Sequence, residues 1–306
     1  MLKEYIHRLW KSALVFLAML LAGSVHFAGG RAFSAEARPI IILEDIEARF
    51  HPSMLLSFWS IIEMMSLQKL VTTNSGDLLS ALPLEALRRL QRERYDTRSF
   101  KVSSGALPRE DLRRIAFHVR LNRPMTLFAR CWLLVEGETE TWILSQAAAL
   151  LGMSLPCAGI RPVEFAQCGL APLIRFARQL GIGFFVVTDG DEAGKKYAAT
   201  VRGMVGSQQA GEHLCVLPEV DIEHYLYAHG YAQVMRRCAG SAGQMALPGG
   251  KKTQAAEAII KAAIRKKTKP GLALSIIEEM QRRGTQGVPT VLAAMFEKLR
   301  LRYVDK

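Results

Sequence analysis

The run Cys131-Trp-Leu-Leu-Val-Glu-Gly-Glu-Thr-Glu140 and a second, Phe184-Phe-Val-Val-Thr-Asp-Gly-Asp-Glu-Ala-Gly194, decide how this chain is read. Each is a short apolar stretch of strand type that stops at carboxylates and a glycine, and helix-compatible sequence follows. Strands buried on both faces read as continuous apolar runs, and in an open parallel sheet their C-terminal ends open onto the crevice where ligands bind. The acids delivered there are Glu136, Glu140, Asp189 and Asp191. From 136 to 189 there are 53 residues, room for two βα units, so both strands can lie parallel in one sheet. Gly190 permits a tight turn that lets Asp189 and Asp191 face one cation, and carboxylates without soft ligands suit magnesium or manganese. The plainer account of either run alone is that its acids are helix caps and solvated first-turn charges.

Outward from these runs the pattern alternates. The strand Trp132 to Val135 leads to a helix over Thr139 to Leu151, a strand over Arg161 to Ala166 and a helix over Ala171 to Leu180. The strand Phe184 to Thr188 then leads to a helix over Ala193 to Met204 and a strand over His213 to Leu217. Alternation of this kind predicts a parallel sheet with helices on both faces. Gly181-Ile-Gly183 is no dinucleotide fingerprint, because it precedes a strand instead of following one.

Val135-Glu-Gly-Glu-Thr-Glu140 with Thr188-Asp-Gly-Asp-Glu-Ala-Gly194 resembles a Toprim domain, the catalytic module of topoisomerases, primases and a set of nucleases. The Glu-Gly-x-Thr-Glu form is similar to the overcoming-lysogenization-defect (OLD) family of ATP-dependent endonucleases. That resemblance implies metal-dependent cleavage of DNA phosphodiesters with one or two Mg²⁺ or Mn²⁺ ions. Glu136, Glu140, Asp189 and Asp191 would be ligands, and Glu136 has a general acid or base role as its alternative. Asp221 and Glu223, in Pro218-Glu-Val-Asp-Ile-Glu-His-Tyr-Leu-Tyr227, sit where the family carries a further acidic pair for a second metal. Asp221 is also an ordinary helix N-cap candidate. Lys269, directly before Pro270, matches an active-site lysine of the family and can offset charge on a scissile phosphate.

Toward the N-terminus, Pro39-Ile-Ile-Ile-Leu-Glu-Asp-Ile-Glu-Ala-Arg-Phe-His-Pro52 is similar to the Walker B strand and following loop of ABC-type ATPases. Gln68-Lys-Leu-Val-Thr-Thr-Asn-Ser-Gly-Asp-Leu-Leu79 is similar to their switch strand. The resemblance makes Glu44 the metal acid, Asp45 the water-polarising acid and Asn74 the switch residue. The two acids stand in exchanged order, and Asn74 replaces the usual histidine. No G-x-x-x-x-G-K-[ST] loop occurs, and Gly249-Gly-Lys-Lys-Thr253 lacks both the upstream glycine and a leading strand. ATP binding is therefore expected only with a partner or upstream segment that brings a phosphate-cradling loop, either an N-terminal ATPase half or a homodimer arrangement. The expected organisation is a partial ABC-ATPase half over 1–127, with residues 12–28 as the buried helix before Walker B. A Toprim-type α/β domain follows over 128–230, and a basic helical extension over 231–306.

Between the first two parts, Leu84-Glu-Ala-Leu-Arg-Arg-Leu90 is spaced for one face of a helix, and Ser103-Ser-Gly-Ala-Leu-Pro108 reads as a loop. Arg113, Arg114, Arg120 and Arg123 line a helix and linker over 109–127, where a solvated face is the plainer account than phosphate contact. In the extension, Gln254 to Lys267 is a basic helix, and Lys269-Pro270 opens another with the proline near its first turn.

The formal charge of the 306 residues is +12, and it is uneven. From residue 231 onward 15 Lys and Arg face 5 Asp and Glu, so nearly all the excess lies in the extension, as binding a polyanion such as DNA requires. Five cysteines without a paired C-x-x-C fit a reduced, cytoplasmic chain, and Cys215, His224, His229 and Cys238 make a poor zinc set. Lys3, Arg8 and Lys11 before the apolar Ala13 to Ala22, then Ala35-Glu-Ala37, imitate a secretory leader. The apolar run is short for a bilayer, so no membrane association is expected. Three readings therefore compete: a nuclease, a DNA-binding remnant that lost turnover, and an exported protein beginning near Arg38.

Overall fold

The computed structural model describes residues 40–64, 68–240 and 252–304. The leader-like stretch, the segment 12–28 and Gly249-Gly-Lys251 lie outside the described residues. The chain divides into two compact units, one ending at Leu82 and one running from Pro83 onward.

In the first unit, strand β1 (Ile40–Leu43) pairs in parallel with β2 (Gln68–Val71), Leu43 lying opposite Val71. Helix α1 (Pro52–Met64) begins on a proline, whose fixed φ and missing N–H suit a first helical turn. Its Leu55, Phe58, Trp59 and Ile62 recur at helical spacing and bury against Leu43, Ile46 and Leu78, the last from α2 (Gly76–Ala81).

The second unit opens on a finding that corrects the sequence reading. Leu84 to Leu90 is not a helix but a short 3₁₀ turn at Leu84–Ala86 that runs into strand β3 (Arg89–Arg92), antiparallel to β4 (Thr97–Phe100). Leu84 and Leu87 are buried as a helical face requires, whereas Leu90 is 63 % exposed. Tertiary contacts override the local spacing: the Arg89 guanidinium donates to the carbonyls of Ala129 at 2.9 Å, Leu180 at 3.1 Å and Gly181 at 3.3 Å. A short helix, α3 (Arg109–Ile115), then runs through a π-turn toward the central sheet.

That sheet has four parallel strands in the order β6 (Ile160–Glu164), β5 (Cys131–Val135), β7 (Gly183–Thr188) and β8 (Leu214–Val216). The helices α4 (Glu138–Leu150), α5 (Leu170–Gln179) and α6 (Glu192–Val205) form the connections. Two-residue alternation splits β5 between two cores. Cys131, Leu133 and Val135 join Phe185, Val187 and α4, while on the other side the ring of Trp132 stacks on Phe176 of α5 at 6.0 Å. After β8 come α7 (Ile222–Leu226), α8 (Ala232–Ala239) and α9 (Lys252–Arg283). With α10 (Thr290–Tyr303), α9 contributes Ile259, Ala263, Leu272, Ile276, Leu292 and Phe296 to the same core as α4. Helices α9 and α10 thus cover one face of the sheet, with Lys261, Arg265, Lys266, Lys267 and Lys269 exposed. As expected, α9 is interrupted between its two halves, at Thr268.

Candidate functional site

β5 and β7 are neighbours, paired as far as Leu134 opposite Val186, and beyond that pair β5 leads on to Glu136 and β7 to Asp189. Adjacent strands are about 4.8 Å apart, so the acids of the two decisive runs leave the sheet side by side. Gly190 and Gly194 shape the turn that follows. A Cβ on Gly194 would collide with the carbonyl oxygen of Asp189, and one on Gly190 with those of Glu219 and Leu217. Only glycine fits such close backbone approach.

The remaining acids are fixed by their helices. Asp191 caps α6, its Oδ1 accepting from Gly194 N at 2.6 Å. Glu140, three residues into α4, reaches back to accept from Gly137 N at 3.1 Å. Asp221 caps α7, accepting from His224 N at 2.7 Å and facing His224 Nδ1 at 2.6 Å. Glu223, in the first turn of α7, is 2 % exposed. Its Oε1 lies 3.4 Å from Lys269 Nζ, while its Oε2 is buried with no hydrogen-bond partner.

Lys269 reaches this edge because α9 breaks. Thr268 has φ 66° and ψ 162°, a region almost reserved for glycine, and Thr268 Oγ1 caps the restarted helix by accepting from Gly271 N at 3.3 Å. Pro270, which has no N–H and whose ring crowds the preceding turn, explains why the helix cannot run straight through.

The carboxylates act on one another. Burial, and then the charges of Glu140, Glu136, Asp221 and Glu223, push the Asp189 carboxyl up to about 8. Burial and Asp191 raise Glu136, against the Lys269 ammonium. Burial also raises Glu140, and Glu223 and Glu136 add to it, while its own backbone N–H and Lys269 oppose. For Lys269 burial works downward, yet Glu223, Asp221 and Glu140 prevail and its pKa is raised. All six predicted acids and the predicted lysine therefore share one electrostatic neighbourhood. The fold brings this set together.

Among the described residues no group of three or more Asp, Glu, His or Cys side chains closes tightly enough to ligate an ion. Like charges repel, and Asp191, Asp221, Glu140 and Glu223 are drawn toward caps and Lys269 instead. The chemistry of the set nonetheless fits a hard divalent cation: every donor is a carboxylate oxygen, and a buried, unpartnered one is present at Glu223. The sequence reading gave no role to Thr188, whose buried Oγ1 also lacks a partner, and weighed His224 only in a poor zinc set, whereas it holds Asp221. An Asp cap with His three residues on is the signal that marks the second.

Glu44, Asp45 and Asn74 belong to the first unit. Glu44 is exposed at the end of β1, and Asp45 takes a left-handed conformation with φ 44°. The carboxylate that meets the switch-like loop is Glu47, accepting from Asn74 N at 2.6 Å and Thr73 Oγ1 at 2.8 Å. Burial works against ionisation of Glu47, but these bonds win and hold its pKa low.

Residues 127–191 match the family described as overcoming lysogenization defect protein-like, TOPRIM domain, and residues 1–126 match a protein family of unknown function, DUF2813. The uncharacterized protein YbjD of Escherichia coli (strain K12) is 43 % identical over 291 residues, which cover 94 % of this chain and 51 % of that protein. The chain thus spans about half the length of this curated relative. Among solved structures, the C-terminal region of the Burkholderia pseudomallei OLD protein aligns with 58 % of this chain and 100 % of that one, at 18 % identity and a TM-score of 0.45. That of Xanthomonas campestris pv. campestris aligns with 57 % and 94 %, at 18 % identity and 0.45.

Proposed function

From the premise that residues 127–191 place this chain in the OLD-like Toprim family, we propose that it is the nuclease part of a metal-dependent DNA endonuclease. The observation that carries this reading is the shared edge of β5 and β7, where Glu136 and Asp189 emerge together amid four more acids and Lys269. Toprim domains generally bind divalent metals. We assign Glu136, Glu140, Asp189, Asp191, Asp221 and Glu223 to holding Mg²⁺ or Mn²⁺. Ions held there would supply Lewis acidity, making a water more nucleophilic and offsetting charge on the leaving oxygen.

The chain's own groups do the rest. Lys269 offsets charge on a non-bridging phosphate oxygen. Glu136, raised by burial and Asp191, can hold a proton and release it at the reacting centre. The lysines and arginines of 231–306 bind the DNA backbone. In the first unit Glu44, Asp45 and Asn74 are assigned to nucleotide sensing, dependent on a phosphate-cradling loop from another segment or chain. The division into 1–127, 128–230 and 231–306, and a cytoplasmic location, belong to the same proposal. Among the described residues no helix is long and apolar enough to cross a membrane.

The looseness of the acids favours a second reading, a DNA-binding remnant without turnover. Supercoiled plasmid incubated with Mg²⁺ or Mn²⁺ separates the two. The nuclease reading expects nicked or linear product from the wild type and none from Asp189→Asn. Plasmid left intact by the wild type, yet retarded by it in a salt-sensitive way, makes the remnant the better account.

A further inference from the structure

At the other end of the strands from the acids, where β8 begins, lies a cavity of about 570 Å³ lined by Gln209, Glu212, His213, Lys298, Leu301 and Arg302. Lys298 and Arg302 stand one turn apart on α10 and lean onto the turn Ala210–Glu212. Lys298 Nζ donates to Gly211 O at 3.3 Å and Arg302 Nη1 to Glu212 O at 2.8 Å. The His213 ring is fixed from two sides, Nδ1 lying 2.9 Å from Phe184 O and Nε2 lying 3.2 Å from Arg302 Nη2. A carbonyl can only accept and a guanidinium only donate, so the imidazole is neutral with its proton on Nδ1. Burial lowers its pKa, and Arg302 and Arg178 lower it further, against the Phe184 carbonyl and Glu212. Aromatic faces hold both guanidiniums in place: Arg302 lies 5.6 Å from the centre of the Tyr303 ring and Arg178 lies 5.5 Å from that of Phe184.

Among the described residues no carboxylate forms an ion pair with Arg178, Lys298 or Arg302, although Arg300 on the same helix pairs with Glu297 at 2.9 Å. The backbone carbonyls use only part of the three donors of a lysine and the five of an arginine. Fixed, partly unspent cations around a concave space of ligand size can take an anion from outside, even with the Glu212 carboxylate in the lining.

We propose that this cavity is a phosphate-binding site, in which Lys298 and Arg302 take a phosphate or phosphodiester group. The chemistry is the same whether that group belongs to a free phosphate compound or to the DNA backbone. The site shares no residue with the acidic edge, so the two assignments stand or fall separately.

The test uses the full chain in chelator, without divalent ions, titrated with inorganic pyrophosphate and followed by calorimetry and by the His213 ring resonances. Lys298→Gln keeps a donor for the Gly211 carbonyl, so loss of binding with unchanged melting is loss of charge and not of fold. Lys298→Gln and Arg302→Gln are each expected to weaken pyrophosphate about tenfold or more and to abolish the His213 shift, which Asp189→Asn retains. A short DNA duplex is then added. If it reverses the pyrophosphate-induced His213 shift, the natural group is the DNA backbone; if it does not, a free phosphate compound is the ligand. Pyrophosphate that fails to bind, or binds equally well to both glutamine variants, overturns the site.

Discussion

At the scale of single residues, Asp189 is the side chain whose environment has the clearest consequence. Its carboxyl is pushed up to about 8 by burial and by Glu140, Glu136, Asp221 and Glu223, so the folded chain holds this proton more tightly than the unfolded one. The sign follows from linkage. Stability from this group is complete below the unfolded value of about 3.9 and is lost as the pH rises through about 8. In chelator, the melting temperature should fall across that window. Asp189→Asn should flatten the fall and add on the order of 2 kcal/mol at the alkaline end. Added Mg²⁺ or Mn²⁺ should reverse the preference and raise the melting temperature of the wild type well above that of the asparagine variant. Scanning calorimetry over pH, with and without metal, checks both. An unchanged slope in the variant would mean that the acids do not feel one another.

At the scale of elements, the site depends on two places where the backbone does something a generic helix or turn does not. The first is the β7 to α6 turn, where a Cβ on Gly194 meets the Asp189 carbonyl. Gly194→Ala should force that turn open and cost about 1–3 kcal/mol, with metal-dependent melting shifts lost alongside. Stability and metal response equal to the wild type would show that the turn has slack. The second is Thr268, at φ 66° and ψ 162°. Strain there costs about 1–3 kcal/mol, and the Thr268 hydroxyl returns part of it by capping Gly271 N. Thr268→Gly removes both the strain and the cap, so denaturant titration should find it within about 1 kcal/mol of the wild type. Thr268→Pro, whose ring fixes φ near about −65°, should lose about 3 kcal/mol or more and withdraw Lys269 from Glu223. If glycine and proline behave alike, the backbone at 268 does not aim the lysine.

At the scale of the whole molecule, charge and chain organisation are the relevant quantities. Of the 15 basic and 5 acidic residues beyond residue 230, those on α8, α9 and α10 ride on helices whose apolar sides are buried in the sheet core, so these charges are held on a rigid surface. DNA affinity should fall linearly with salt on a double-logarithmic plot. Replacing the exposed Lys266 and Lys267 with glutamine should lower that slope by about 2 if each meets a phosphate. Filter binding across a salt series measures it, and an unaltered slope moves the DNA path elsewhere. Much of this protein was legible as a string. Continuous apolar runs ending in acids fit buried parallel strands with polar C-terminal edges, and their 53-residue spacing left room for the two βα units that let β5 and β7 share one sheet, as they do. The charge asymmetry needed no structure at all. The residues 84–90 were misread because helical spacing of three leucines is satisfied locally, whereas the hairpin is decided by Arg89 finding carbonyls some 90 residues away. The buried orphan oxygen of Glu223, the left-handed break that sends Lys269 to it and the cation cluster around His213 likewise have no one-dimensional signature. Each arises only when elements distant in sequence close on one another and remove the water that would otherwise have satisfied them, so sequence fixes which groups are present and packing alone decides which are left wanting a partner.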